Sequence, residues 1–188
     1  MTNRASYSPG PANIAHVEKQ GDTWTLTVVR TIHHAPAKVW AALTDPDQLQ
    51  QWSPFDADAN MGITGNKVKL TTVGAPQAPI TETIIKRAEA PKLLEYTWGD
   101  QSLRWELEPV AEGTRLTLWH NINRQFISMG AAGWQICLDV LDASLGDSPL
   151  GRMVGPSLMG NEGWQRLNAE YAEQFGIELP HWGSKGSQ

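Results

Sequence analysis

Between residues 67 and 121 the chain carries strand-like segments joined by links too short to hold a crossover. The segments are 67–73, 80–88, 93–98, 102–110 and 114–121, and the last two are entered through Gly99-Asp100-Gln101 and Ala111-Glu112-Gly113. Parallel neighbours need a connection of a dozen or more residues, so these segments pair antiparallel, as a meander. A meander must bury one face. An earlier period-2 stretch, 23–34, supplies another strand: Trp24, Leu26, Val28 and Ile32 share one face, and Thr25, Thr27 and Thr31 the other.

Two short helices follow that first strand. Pro36 opens one over 37–43, with Val39, Trp40 and Leu43 on one side. Asp45 caps a second that begins at Pro46 and carries Leu49 and Trp52. The last third is helical again. Residues 130–145 place Trp134, Leu138, Leu141 and Leu145 at helical spacing, with Cys137 beside them. The Gly/Pro-rich stretch 146–160 reads as an irregular connection. Asn161 then caps a helix to Phe175, with Trp164, Leu167 and Tyr171 on its apolar side and Gly176 as stop signal. The tail 183–188 is expected to be loose.

The expected class is therefore α+β: a curved antiparallel sheet wrapped around a long C-terminal helix, two short helices after the first strand, and one extra C-terminal helix. Its 188 residues suit one main unit. The expected division is an N-terminal arm over 1–20, a sheet-and-helix domain over 21–145 and a C-terminal extension over 146–188.

Charge and cysteine usage narrow the partners. With 15 Lys and Arg against 20 Asp and Glu, the net charge is −5, and no basic run occurs, which argues against nucleic acid. No apolar run reaches the length of a membrane span, and residues 1–20 lack the apolar stretch of a signal peptide, so a cytoplasmic location is expected. Cys137 is alone, which leaves no disulfide, CxxC pair or Cys-rich zinc site. His33 and His34 are adjacent and, on a strand, would face opposite ways, so they cannot grip one metal together. Residues 62–67 lack the length and the Lys-Ser/Thr ending of a phosphate loop, and GxSxG, HExxH and GxGxxG are absent. No cofactor or metal is expected.

Several pieces of this chain resemble a known family. They are Val29-Arg30-Thr31-Ile32, the run from Ala35-Pro36 through Trp40 to Asp45-Pro46, and Leu49 to Trp52. Further along come Pro91 to Trp98, Leu107-Glu108-Pro109, Gly113 to His120, and Gly133-Trp134. In order and spacing they are similar to the heat-shock-90 ATPase activator homologue family of the START-like (SRPBCC) helix-grip superfamily, over about residues 24–145. The resemblance implies a helix-grip fold with a hydrophobic pocket between sheet and C-terminal helix. The N-terminal arm and the extension after 145 depart from the family pattern, and no family role carries over to them.

Nine Trp residues, against three Phe and three Tyr, make an aromatic pocket worth locating. Strand alternation puts Leu94, Tyr96 and Trp98 on one face, as it does Leu103, Trp105 and Leu107, and Leu116, Leu118 and His120. If these faces turn inward, Trp98, Trp105 and His120 meet Trp134 of the helix in a hollow with one titratable imidazole. Trp52 and Phe55 fall where the resemblance puts the pocket mouth. The candidate ligand-binding set is Trp52, Phe55, Trp98, Trp105, His120 and Trp134. His120 can orient a ligand, move protons, or be a satisfied core histidine; Glu82 is its candidate carboxylate partner if it points inward. Cys137 reads as buried and inert.

Three functions follow as expectations. The first is binding of a small hydrophobic or amphipathic molecule, and the reading favours binding over catalysis. The second is a cyclase/aromatase-like enzyme of the kind found among superfamily relatives, using His120 in the same hollow. The third is a protein–protein module, with a chaperone or a second copy as partner.

Overall fold

The computed structural model describes residues 7–179, and the tail 183–188 lies outside them. Nine strands and five α-helices are arranged as two antiparallel sheets around one long helix. The main sheet has the order β1-β2-β9-β8-β7-β6. Its strands are β1 (Ala15–Gln20), β2 (Thr23–Ile32), β6 (Arg87–Glu89), β7 (Leu93–Trp98), β8 (Gln101–Val110) and β9 (Gly113–Asn121). A smaller sheet holds β3 (Phe55–Ala57), β4 (Lys67–Thr72) and β5 (Ile80–Ile84). Between β2 and β3 lie α1 (Pro36–Thr44) and α2 (Pro46–Leu49), the latter capped by Asp45, whose carboxylate accepts from the Asp47 amide at 2.9 Å. After β9, a 3-10 turn (Arg124–Phe126) leads into α3 (Ile127–Ser144), followed by α4 (Pro156–Met159) and α5 (Glu162–Phe175).

The alternation read from sequence sets the core. Leu26, Val28 and Ile32 of β2, Leu103, Trp105 and Leu107 of β8, and Leu116, Leu118 and His120 of β9 all point into the concave face. There they meet Ala131, Trp134, Leu138 and Leu141 of α3. The antiparallel register Trp105↔Leu118 and Leu26↔His120 aligns those inward side chains across strands. An ion pair between Arg30 of β2 and Asp139 fastens the helix to the sheet, and the Tyr7 hydroxyl donates to the same carboxylate at 2.6 Å.

Three features differ from the sequence reading. The main sheet begins earlier: Ala15–Gln20, expected within an arm, pairs with β2 through a turn at Gly21, whose φ of +62° suits glycine. That strand lies at the sheet edge and is mostly exposed, so its apolar alternation is weak and backbone pairing decides its structure. Second, the stretch 80–88 is two strands. The chain leaves the small sheet after Ile84, buries Ile85 completely and joins the main sheet at Arg87. The sheets are stitched where Thr83 of β5 meets Thr97 of β7, hydroxyl to hydroxyl at 3.0 Å. Third, α3 starts three residues before the expected Gly130.

His33 and His34 also behave differently from two strand neighbours. The strand ends at Ile32, so both rings swing to one side and approach Asp142: His33 Nδ1 at 2.7 Å and His34 Nε2 at 3.8 Å. Among the described residues no group of three or more His, Cys, Asp or Glu side chains could hold a metal ion, and no helix is long and apolar enough to cross a membrane.

Candidate functional site

The middle of the concave face is filled. Trp105, fully buried on β8, faces α3 and donates its indole N–H to the Tyr96 hydroxyl at 3.1 Å. Its ring meets Trp134 edge-on with centroids 5.4 Å apart, and Trp52 edge-on at 6.1 Å. Trp52 is buried too, bonded through its N–H to the Ala42 carbonyl at 2.9 Å. Phe55, with no exposed surface, packs between Tyr96 (6.1 Å) and Trp98 (5.2 Å). The six aromatic and imidazole rings picked out in the sequence thus form one contiguous cluster, but with two different jobs. Trp52, Phe55 and Trp105 are core. Neither Trp52 nor Phe55 stands at an entrance, because α2 and β3 turn both rings inward.

Trp98, His120 and Trp134 instead line a cavity of about 280 Å³ at one end of the cluster. Its floor is the ends of β7, β8 and β9, through Trp98, Gln101, His120 and Ile122. One wall is the first three turns of α3, through Gly130, Gly133, Trp134 and Cys137. The opposite wall comes from the segment after α3: Val154, Gly155, Leu158, Met159 and Trp164. None of the lining residues is charged. Phe126 and Met159, each roughly two-fifths exposed, form an apolar rim.

The wall segment is held from outside. Arg152 donates Nε–H to the Ser53 carbonyl at 2.6 Å and pairs with Asp56 at 2.7 Å. Gly155 and Gly74 pack backbone to backbone at positive φ; a Cβ on Gly155 would come within 2.9 Å of the Gly74 Cα. The stretch read as an irregular connection is therefore a strap across the cavity.

His120 is almost completely buried, and the cost of burying an imidazolium lowers its pKa to about 4. Both ring nitrogens have partners. Trp134 donates its indole N–H to Nδ1 at 2.9 Å, and Nε2 lies 2.6 Å from Oε1 of Gln101. Trp98 stacks over the ring at 6.4 Å and anchors itself by donating to the Thr72 hydroxyl at 3.0 Å. Glu82 is not a partner: it points to solvent on β5, 3.9 Å from Lys69. Cys137 is buried, and burial pushes its thiol up to about 12.

Sequence reasoning missed Gln101 and the strap. Gln101 continues the inward series Leu103, Trp105, Leu107 backward by two residues, a signal masked by the turn chemistry of the adjoining Gly99-Asp100. Leu158 and Met159 sit in a stretch with no periodicity to read.

Residues 23–136 match the family model described as polyketide cyclase / dehydrase and lipid transport. No curated protein matches the chain. Among solved structures, the conserved protein of unknown function EF2215 from Enterococcus faecalis is similar at a TM-score of 0.63 and 19% identity, over 87% of this chain and 92% of that one. CalU16 from Micromonospora echinospora follows at 0.60 and 18%, over 85% and 94%. An AHSA1-like protein from Aeromonas hydrophila aligns at 0.53 and 19%, over 65% and 95%. These likenesses carry the fold, and the superfamily expected from the sequence agrees with them. With more than half of its residues matched by the family model, the protein belongs to the polyketide cyclase / dehydrase and lipid transport family, within the START-like helix-grip superfamily.

Proposed function

We propose that the protein binds a small hydrophobic or amphipathic molecule in the cavity between the strand ends, α3 and the strap. The observation that carries this reading is an uncharged, largely apolar hollow with an apolar rim in a protein whose core is otherwise filled by rings. Its volume lies at the small end of ligand sites, which favours a compact molecule, or one end of a longer one. Affinity would come from buried apolar area, at roughly 25 cal/mol per Å² before the costs of association.

A cyclase-like reaction has less support. Proton transfer near neutral pH needs an imidazole with a free nitrogen and a pKa close to 7. In His120 both nitrogens are committed, and burial lowers the pKa to about 4.

The test is native mass spectrometry of protein taken from its own cells, with tryptophan fluorescence titrations against fatty acids, sterols and aromatic polyketides. A co-purified mass or saturable quenching, both lost in Gly133→Leu, is the expected result. That glycine lines the cavity, and a Cβ there meets nothing within 4 Å, so a side chain can start from it without a backbone clash and a leucine takes up room in the hollow. A clean apo mass with flat fluorescence would overturn the reading.

A further inference from the structure

An indole N–H can only donate, so the Trp134 contact leaves Nδ1 of His120 one role, that of acceptor. The ring proton then sits on Nε2. The atom of Gln101 facing Nε2 at 2.6 Å must accept, and it is the carboxamide oxygen. One donor-only group thereby fixes the imidazole tautomer and, through it, the orientation of a glutamine amide on the cavity wall. The Gln101 NH₂ is left with two N–H donors that make no hydrogen bond among the described residues; Gln101 is only half-buried and its amide nitrogen is not enclosed, so these donors are open to an incoming molecule. No wall residue carries a charge, and of the three lining indoles those of Trp98 and Trp134 are spent within the protein. That leaves the Gln101 amide as the free donor at the strand ends and the Trp164 indole on the strap side, among the described residues.

From this geometry we infer that the cavity selects an uncharged apolar molecule bearing a hydrogen-bond acceptor, such as a ketone, ester or ether oxygen, which the Gln101 carboxamide N–H receives. This rests on the ligand-binding reading above and adds its chemical class. His120 is a positioning residue in this arrangement: it touches no ligand through nitrogen and holds the amide donor-side out. A carboxylate is disfavoured, since a buried anion would find neutral donors and no cation to pair with.

The experiment compares three probes of equal heavy-atom count: 2-acetylnaphthalene, 2-isopropylnaphthalene and 2-naphthoate. Each is titrated into the full chain and followed by ¹H–¹⁵N NMR of the indole and carboxamide side-chain signals. The ketone is expected to move the Gln101 NH₂ protons downfield of their position in the hydrocarbon complex, which carries the same ring current without the acceptor, with naphthoate at least tenfold weaker than the ketone. In Gln101→Leu the ratio of ketone to hydrocarbon affinity should fall about tenfold, the worth of one buried hydrogen bond. Hydrocarbon binding should persist there, which also reports that the variant is folded. A ratio unchanged in Gln101→Leu, with wild-type Gln101 NH₂ protons at the same position in the ketone and hydrocarbon complexes, or naphthoate as the tightest probe, overturns the inference and leaves the cavity a ligand site. If none of the three binds, the inference falls, while the binding reading stands or falls on the native mass and the wider titrations.

Discussion

Trp134 hands its indole N–H to Nδ1 of His120 across 2.9 Å, and this bond is compatible only with a neutral imidazole. Burial works in the same direction and lowers the His120 pKa to about 4. An ordinary histidine, and so His120 in the unfolded chain, has a pKa near 6.5. Below about pH 6.5 the unfolded state therefore takes up a proton that the folded state refuses. The stability tied to this group is whole above that pH and is lost as pH falls toward 4. Over the full window it amounts to about 3 kcal/mol. Urea unfolding from pH 7 to 4 should show this slope in the wild type and lose it in His120→Gln. Equal slopes in the two proteins would contradict the assignment.

Trp105 carries a different prediction, because it looks like a pocket residue in sequence and is a core residue in structure. Its ring is fully buried, edge-on to Trp52 and Trp134, so removing it leaves a cavity in the middle of the core. Trp105→Ala should cost about 3–5 kcal/mol, seen as a lower urea midpoint with a similar slope. A loss under about 1 kcal/mol would mean that the cluster repacks, and Trp105 would return to the list of binding candidates.

The difference between Trp105 and Trp134 shows where sequence reading stops. Alternation along β8 and helical spacing along α3 put both rings in the same interior, because side-chain period is a local property. Which ring fills the hollow and which edges a cavity depends on rotamers and on how far the sheet curves, and these are set by residues distant in the chain. The direction of Glu82 is lost for a related reason: the chain changes sheets at Ile85, and an alternation argument carried across that break has no fixed face. The proline that opens α1, the Asp45 cap of α2 and the Asn161 and Gly176 signals of α5 were legible because a helix end is written in adjacent residues. The strap was not legible, because Arg152 finds Ser53 and Asp56 about a hundred positions away and Gly155 packs on Gly74.

Two glycines one turn apart on α3 should respond oppositely to the same change. A methyl on Gly133 projects into open space, so Gly133→Ala gains the helix preference of alanine, about 1 kcal/mol. A methyl on Gly130 would come within 2.9 Å of the Ile122 Cδ1, so Gly130→Ala spends that gain on displacing a core contact. Thermal unfolding should rank Gly133→Ala above the wild type, and Gly130→Ala at or below it. The reverse order would contradict the space assigned to a methyl at these two positions.

The strap can be tested through the cysteine beneath it. Cys137 lines the cavity and is the only thiol; with its pKa pushed up to about 12, about one molecule in ten thousand carries a thiolate at pH 8 while folded. Labelling by an uncharged maleimide therefore reports opening. Arg152→Met removes the bonds to Ser53 and Asp56, and because that ion pair is partly solvated, the global cost should be only about 1 kcal/mol. Gly155→Ala combines an unfavourable positive φ with a contact at 2.9 Å to Gly74. Both variants should label several-fold faster than the wild type at denaturant concentrations where their tryptophan fluorescence is still native. Rates that rise only in proportion to the loss of global stability would mean that the thiol is reached by unfolding of the whole protein, and that the strap does not open on its own.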